Sequence, residues 1–270
     1  MCFETTARPP LPPIAGGAGV ADSARIVLEA SDGNRFLAFG ARAADPDAPG
    51  VMLLPDVRGL HPFYEDLAVR FAEVGVHATA MDYFGRTAGL DPRGEDFDHM
   101  AHVRRISPDG VGADTAATVA HLRSPAGGAA GRVYSMGFCM GGRISFNEAR
   151  RDHGLRGVIG FYGGPQGTGP DDETAPIRLA PQYRCPVLGL FGGPMRASRP
   201  TRSARLPTSS TKPACRTRWS CTTARRIRSS TGSSNSMVKR VTTRGGGCWR
   251  SWAADPSGPD AGGERWRSSG

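Results

Sequence analysis

The chain has 270 residues, 39% of them hydrophobic and 22% charged, with a formal net charge of +9. That length fits one α/β domain with tails, and no apolar run approaches the roughly 20 residues a membrane-spanning helix needs. The 6 cysteines are scattered without C-x-x-C spacing, which argues against a disulfide frame or zinc site and for reduced thiols in a cytoplasmic protein.

The charge is not spread evenly. Residues 1–194 hold 18 Arg, no Lys and 22 acidic residues, a net −4; residues 195–270 hold 14 Arg, 2 Lys and 3 acidic residues, a net +13. No Asp or Glu occurs between Met195 and Ala254, and all 4 Trp lie in that last part. Two compositions meet near Gly193.

In chain order, residues 1–22 are rich in Pro, Gly and Ala and predict a loose arm. Met1 to Pro13 show no basic region followed by an apolar one, so no secretory signal is expected. Ala24–Leu28 and Arg35–Gly40, separated by Ser-Asp-Gly-Asn, predict a first hairpin. Gly50–Leu54 predicts a short buried strand ending at Pro55-Asp56. Phe63, Leu67, Phe71 and Val74 recur at helical spacing and predict a helix over Pro62–Val74. Val76–Met81 predicts the next strand. A polar excursion with a short helix is expected over 87–110, then a helix over Val111–Leu122. Gly157–Phe161 and Pro186–Phe191 predict two more strands. Short apolar strands alternating with helices imply a mostly parallel sheet covered on both faces. In such sheets the reactive residues sit in loops at the carboxyl ends of the strands, where Asp56, Arg86 and Cys139 all fall.

Residues 131–143 carry the sharpest signal. Val133 to Met136 lead into Gly137, then Cys139, then Gly141-Gly142 and a helical segment to about Arg151. This is the G-x-C-x-G form of the nucleophile elbow, a strand, a tight turn bearing the nucleophile, and a helix. The turn strains the nucleophile's backbone, so residues two before and two after it must lack a Cβ. The sulfur then stands above a helix N-terminus, whose dipole favours a thiolate. A buried structural cysteine beside a glycine-rich turn is the plain alternative.

The segments Gly137-Phe138-Cys139-Met140-Gly141-Gly142, Leu54-Pro55-Asp56-Val57-Arg58-Gly59-Leu60 and Asp82-Tyr83-Phe84-Gly85-Arg86 together resemble the dienelactone hydrolase family. The resemblance covers about residues 24–193. It implies an α/β-hydrolase fold and a cofactor-free carboxylic ester or lactone hydrolase with a Cys-His-Asp triad, active on small molecules and connected with aromatic compound degradation. It implies Cys139 as the nucleophile and the backbone N–H groups of Val57 and Met140 as the oxyanion hole. It places Asp56 where family members carry a Glu that meets the resting thiol, and Arg86 where an arginine binds the substrate carboxylate. A loop Asp capping the helix near Pro62 is the other reading of Asp56. The resemblance also asks for an Asp after the strand at Pro186–Phe191 and a His some 30 residues later, and this chain has neither residue there.

The tail has a distinctive origin on this reading. Read one base out of step, codons compatible with Pro194 through Thr201 permit G-G-x-D-A-G-I-P-A-D. Those for Thr217 through Gly232 permit E-V-V-V-Y-D-G-A-P-H-S-F-F-D-R, an apolar strand, a turn and a His. The part from about Pro194 therefore reads as a frameshift. As written, residues 195–254 have neither a 3.6 nor a 2 period, and an irregular or disordered basic tail is expected over 194–270. The loss of a helix, a strand and a final helix predicts an uncovered sheet edge and aggregation.

The histidines His61, His77, His99, His102, His121 and His153 are expected to be structural or solvated, His61 being the nearest substitute base. His99 and His102 share no third ligand, so no metal is expected. Cys2, Cys185, Cys215, Cys221 and Cys248 read as incidental. Two other functions are compatible with the sequence: a catalytically dead α/β binding protein, or a domain whose basic tail meets nucleic acid. The second is disfavoured because the basic residues form no stripe and have no stacking aromatics between them.

Overall fold

The structure is a computed structural model that describes residues 7–9, 19–91, 93–94, 96–166, 172–192 and 217–222. All of them lie in one compact unit, Met1–Arg225. Its strands are β1 (Val20–Glu29), β2 (Arg35–Ala43), β3 (Gly50–Leu54), β4 (His77–Met81), β5 (Val133–Phe138), β6 (Gly157–Phe161), β7 (Val187–Gly192) and β8 (Thr217–Thr222). Its helices are α1 (Pro62–Glu73), α2 (Gly85–Ala88), α3 (His99–Val103), α4 (Pro108–Arg123), α5 (Met140–Glu148) and α6 (Pro176–Leu179). They build a mixed 8-stranded sheet in the order β1-β2-β4-β3-β5-β6-β7-β8. The hairpin β1–β2 and the β2–β4 pair are antiparallel, and every pairing from β4 through β8 is parallel.

Burial on both faces explains the short apolar strands. All five residues of β3 and all five of β4 are buried. Right-handed crossovers put α1, which returns the chain from β3 to β4, on one face, and α4 and α5 on the other. On the second face Met52, Leu54, Met81 and Val133 pack with Val119 and Leu122 of α4. Ser135 of β5 and Ser145 of α5 join by hydroxyl groups 2.5 Å apart in the same buried layer.

Several boundaries shift. β1 begins at Val20, so residues 20–22 of the expected arm belong to the sheet, and Arg8 pairs with Asp66 of α1 at 2.5 Å. The rest of the arm lies outside the described residues, apart from 7–9 and 19. α4 starts at Pro108 because Ser107 caps it, its Oγ accepting the Gly110 N–H at 3.1 Å with Pro at the first helical position. α6 follows no apolar period that the sequence displays. The largest correction concerns 195–254, where no regular element was expected. Thr217–Thr222 forms β8, parallel to β7 from Val187↔Thr217 to Gly192↔Thr222. Backbone pairing needs no side-chain periodicity, which is why the residue pattern concealed it. The expected bare edge at β7 is therefore covered, and the described edges are β1 and β8. The rest of the expected tail, 194–216 and 223–270, lies outside the described residues.

Candidate active site

Register brings the candidate residues to one place. Leu54 pairs with Gly137 and Phe138 with Phe161, so β3, β5 and β6 end side by side. The loops that follow them, 55–61, the turn at 139 and 162–166, are therefore neighbours.

Cys139 sits between β5 and α5 as the N-cap of the helix, at φ 54° and ψ −117°. A positive φ in a non-glycine residue is strained and holds only where packing enforces it. Here the enforcement is visible. A Cβ on Gly137 would stand 2.0 Å from the Gly141 oxygen, and one on Gly141 would stand 2.2 Å from both the Leu54 and Pro55 oxygens. The two glycines thus let the elbow close on itself and press α5 against the end of β3. The Cys139 N–H donates to the Phe161 oxygen at 3.0 Å, and its carbonyl accepts the Arg143 N–H at 3.1 Å. The Met140 N–H precedes that first helical bond and points out of the helix start, as the opening amides of any helix do. The Cys139 thiol is free and partly exposed.

The loop after β3 is wired from several sides. The Asp56 N–H donates to the Tyr64 hydroxyl at 2.9 Å, and the Tyr83 hydroxyl donates to the Pro55 oxygen at 2.8 Å. Asp82 accepts the Leu60 N–H at 3.3 Å and the Phe84 N–H at 3.2 Å, and holds Arg93 at 3.0 Å. Gly59 adopts φ 76°, and a Cβ there would come 2.6 Å from Asp82 Oδ1. Among the described residues the Val57 N–H has no acceptor, although the neighbouring amides of Asp56, Arg58, Gly59 and Leu60 are all used. Aromatic rings wall the space: Phe138 stacks on Phe161 at 4.9 Å and meets Tyr64 at 5.7 Å, while Tyr64 meets His61 edge-on at 4.9 Å.

Asp56 is fully buried. Its carboxylate accepts Arg58 Nε at 3.0 Å, Arg58 Nη2 at 2.6 Å and the Arg58 N–H at 2.9 Å, with His61 Nε2 at 3.7 Å. Burial pushes this carboxyl up, but His61 and Arg58 outweigh it and hold it well below the usual carboxylate range. Arg58 supplies most of that pull, because 3.7 Å is beyond hydrogen-bond reach and His61 Nε2 is buried with no such partner among the described residues. Asp56 does not cap α1; His61 occupies that position.

Arg86 is held by two carboxylates. Its guanidinium binds Asp32 at 2.6 and 3.1 Å and Asp114 at 2.8 and 3.1 Å. Asp32 belongs to the β1–β2 turn and Asp114 to α4, so Arg86 ties these two segments to α2. The register of β3 and β5 thus brings Cys139, Met140, Val57 and Asp56 into neighbouring loops, while Arg86 is engaged by Asp32 and Asp114. Sequence reasoning missed Arg58 and Asp82 as organisers. The Asp-x-Arg spacing at 56–58 and the second Asp after β4 were the available signals. No group of three or more metal-type ligands occurs among the described residues, and none of their helices is long and apolar enough to cross a membrane.

The chain is similar to known proteins. A family model described as the dienelactone hydrolase family matches residues 36–196. A Salmonella typhimurium protein named "Putative carboxymethylenebutenolidase" is 32% identical over 199 residues, 71% of this chain and 72% of its own. A Pseudomonas putida carboxymethylenebutenolidase is 26% identical over 175 residues, covering 62% of this chain and 70% of its own. Among solved structures, a Klebsiella pneumoniae protein described as "Putative Dienelactone Hydrolase" aligns with TM-score 0.52 and 28% identity, over 63% of this chain and 73% of that one. The family model covers the elbow and the β3 loop, and the chain belongs to the dienelactone hydrolase family of α/β-hydrolase-fold enzymes.

Proposed function

We propose that this site performs thiol-based hydrolysis of a small carboxylic ester or lactone, with Cys139 as nucleophile. The observation that carries this reading is the strained Cys139 at the start of α5, pressed by Gly141 against Pro55. The thiolate attacks the ester carbonyl carbon, and the carbonyl oxygen becomes an oxyanion. The Met140 and Val57 N–H groups receive that charge. Collapse expels the alcohol and leaves a thioester, which water hydrolyses to the acid and free thiol. Asp56 serves in this reading by fixing the loop that carries the Val57 N–H, through its bonds to Arg58.

The proton-shuttling His and its orienting Asp have no counterpart between Met195 and Ala254, where the written chain has no acidic residue and no His. We assign this loss to a shifted reading frame from about Pro194. The family match ends at residue 196, which supports that boundary. Losing triad members costs about 10⁴-fold in a serine-protease triad, so the chain as written is a feeble esterase that acylates and turns over slowly.

The test is time-resolved hydrolysis of a p-nitrophenyl ester by the full chain beside Cys139→Ser. A burst of at most one equivalent, then slow release, with both lost in the variant, is expected. Fast turnover that survives the substitution would refute Cys139 as nucleophile. Resequencing the nucleic acid across codons 194–254 tests the frame: a neighbouring frame lacking a strand, loop and His would refute it.

A further inference from the structure

The whole sequence holds 6 histidines, and His61 alone lies on one of the loops that strand register sets beside Cys139. His77 opens β4, and its Nδ1 accepts the Ala43 N–H. His121 lies in the last turn of α4. His153 follows α5 and meets Glu148 at 2.7 Å. His99 and His102 belong to α3, where His102 meets the Thr87 hydroxyl at 2.9 Å and stacks on Phe97 at 4.7 Å.

His61 closes the loop that begins at Pro55 and carries the Val57 N–H. Its ring stands edge-on to Tyr64 at 4.9 Å, and Tyr64 reaches Phe138, the residue before Cys139, at 5.7 Å. The imidazole is therefore part of the aromatic wall beside the elbow, with 16% of its side chain exposed. Nε2 is buried and faces the Asp56 carboxylate at 3.7 Å. Arg58 keeps that carboxylate ionised, at 3.0 and 2.6 Å. A carboxylate so placed favours the ring proton on the nitrogen turned toward it and stabilises the imidazolium formed when the ring takes a second proton. Nδ1 is then the basic nitrogen. His61 is also the N-cap residue of α1, yet its side chain makes no capping bond, so the helix start does not use the ring.

We infer that His61, with Asp56 behind it, is the general base that hydrolyses the Cys139 thioester in this chain, in place of the histidine that the family pattern asks for after β7. The inference rests on the proposed role of Cys139. Water adds to the thioester carbonyl carbon while His61 Nδ1 takes one of its protons. The oxyanion collapses, the carbon–sulfur bond breaks, and the acid departs with the sulfur left as thiolate. The imidazolium then gives its proton to the thiolate, and both groups are restored.

The test follows deacylation apart from acylation. The full chain is loaded with p-nitrophenyl acetate and desalted rapidly, and the acetyl group on the Cys139 peptide is followed by mass spectrometry. In His61→Asn the side chain cannot take the proton, while asparagine is a preferred N-cap and keeps the start of α1. Loss of the acetyl group is expected to slow at least about tenfold, a modest fraction of what a positioned base contributes. An unchanged rate would overturn the inference. His61→Gly leaves room for a free ring, and glycine is also accepted at the N-cap. Added imidazole is expected to raise its rate by an absolute amount roughly threefold greater than in the parent chain, because the parent's place is filled by its own base. Equal gains in the two chains would assign the slowing to a structural role and overturn the inference. A parent chain that takes up no acetyl group at Cys139 would refute the nucleophile assignment, a result read before any deacylation is measured.

Discussion

An alanine at position 141 would place its methyl carbon 2.2 Å from two backbone oxygens, and backbone cannot swing aside as a flexible side chain can. Gly141→Ala is expected to cost about 3 kcal/mol, toward the upper end of overpacking penalties, and to abolish the acylation burst. A urea midpoint unchanged from the parent would show that α5 and the β3 loop do not touch as described. A second residue-scale consequence concerns His77, buried in β4, whose Nδ1 accepts the Ala43 N–H at 3.1 Å. Burial, with help from Arg42, pushes its imidazole below the ordinary value of 6.5. The folded state thus favours the neutral ring, so this contribution is complete above about pH 6.5 and is lost as pH falls from there toward the depressed folded value. His77→Gln, which retains an acceptor, is expected to flatten the fall in melting temperature between about pH 7 and pH 5. Asp82 and Asp114, whose carboxyls burial pushes up, act in the opposite sense, so the difference between the two chains isolates His77.

The β3–α1 loop shows what an element's sequence reveals and what it withholds. Its place at a carboxyl strand end was legible, because the strand before it is a short apolar run and Pro62 opens the next helix. Its internal wiring was not. Whether Asp56 faces a thiol, caps a helix or folds back on Arg58 is a rotamer choice decided by tertiary packing, and no spacing rule encodes it. The partners of Arg86 were hidden for the same reason: its side chain meets Asp32 and Asp114, which no spacing in the sequence points to. Two predictions belong here. Asp82→Ala removes the acceptor for the Leu60 and Phe84 amides and strands Arg93, and is expected to cost about 3 kcal/mol, as breaking a buried pair does. Hydrogen exchange at the Leu60 and Phe84 amides should accelerate, and unchanged protection would count against the clamp. Arg86→Ala is expected to cost about 1–3 kcal/mol, read from the urea midpoint, by taking from the buried Asp114 carboxylate its cation while Asn34 remains; an unchanged midpoint would count against the tie.

The sheet as a whole was legible from β3 to β7, where burial makes each strand a short, mostly apolar run. It faded at its ends. β1 was read short because an edge strand needs no apolar face over its full length, and six of its first residues are exposed. β8 was not read at all, since its written residues carry no strand pattern. Asp22 and Arg25 guard the β1 edge, Arg25 reaching Glu65 of α1 at 2.6 Å, and charges on edge strands oppose pairing between molecules. Replacing both by Val is expected to at least double the light scattering of a concentrated sample (roughly, by the aggregation tendency of long uncharged edges). Unchanged scattering would show that this edge is guarded by something else.

The positive φ at 139 belongs to the position and not to sulfur. It is imposed by Gly137, Gly141 and the bond from its own N–H to Phe161, none of which involves the side chain. Serine would adopt the same backbone at the same expense. Cys139→Ser is therefore expected to unfold within about 0.5 kcal/mol of the parent, the range of substitutions that disturb no packing. The turn fixes where the reacting atom stands and is indifferent to which element supplies it, so this scaffold is open to exchange of its nucleophile and closed to change in the glycines beside it.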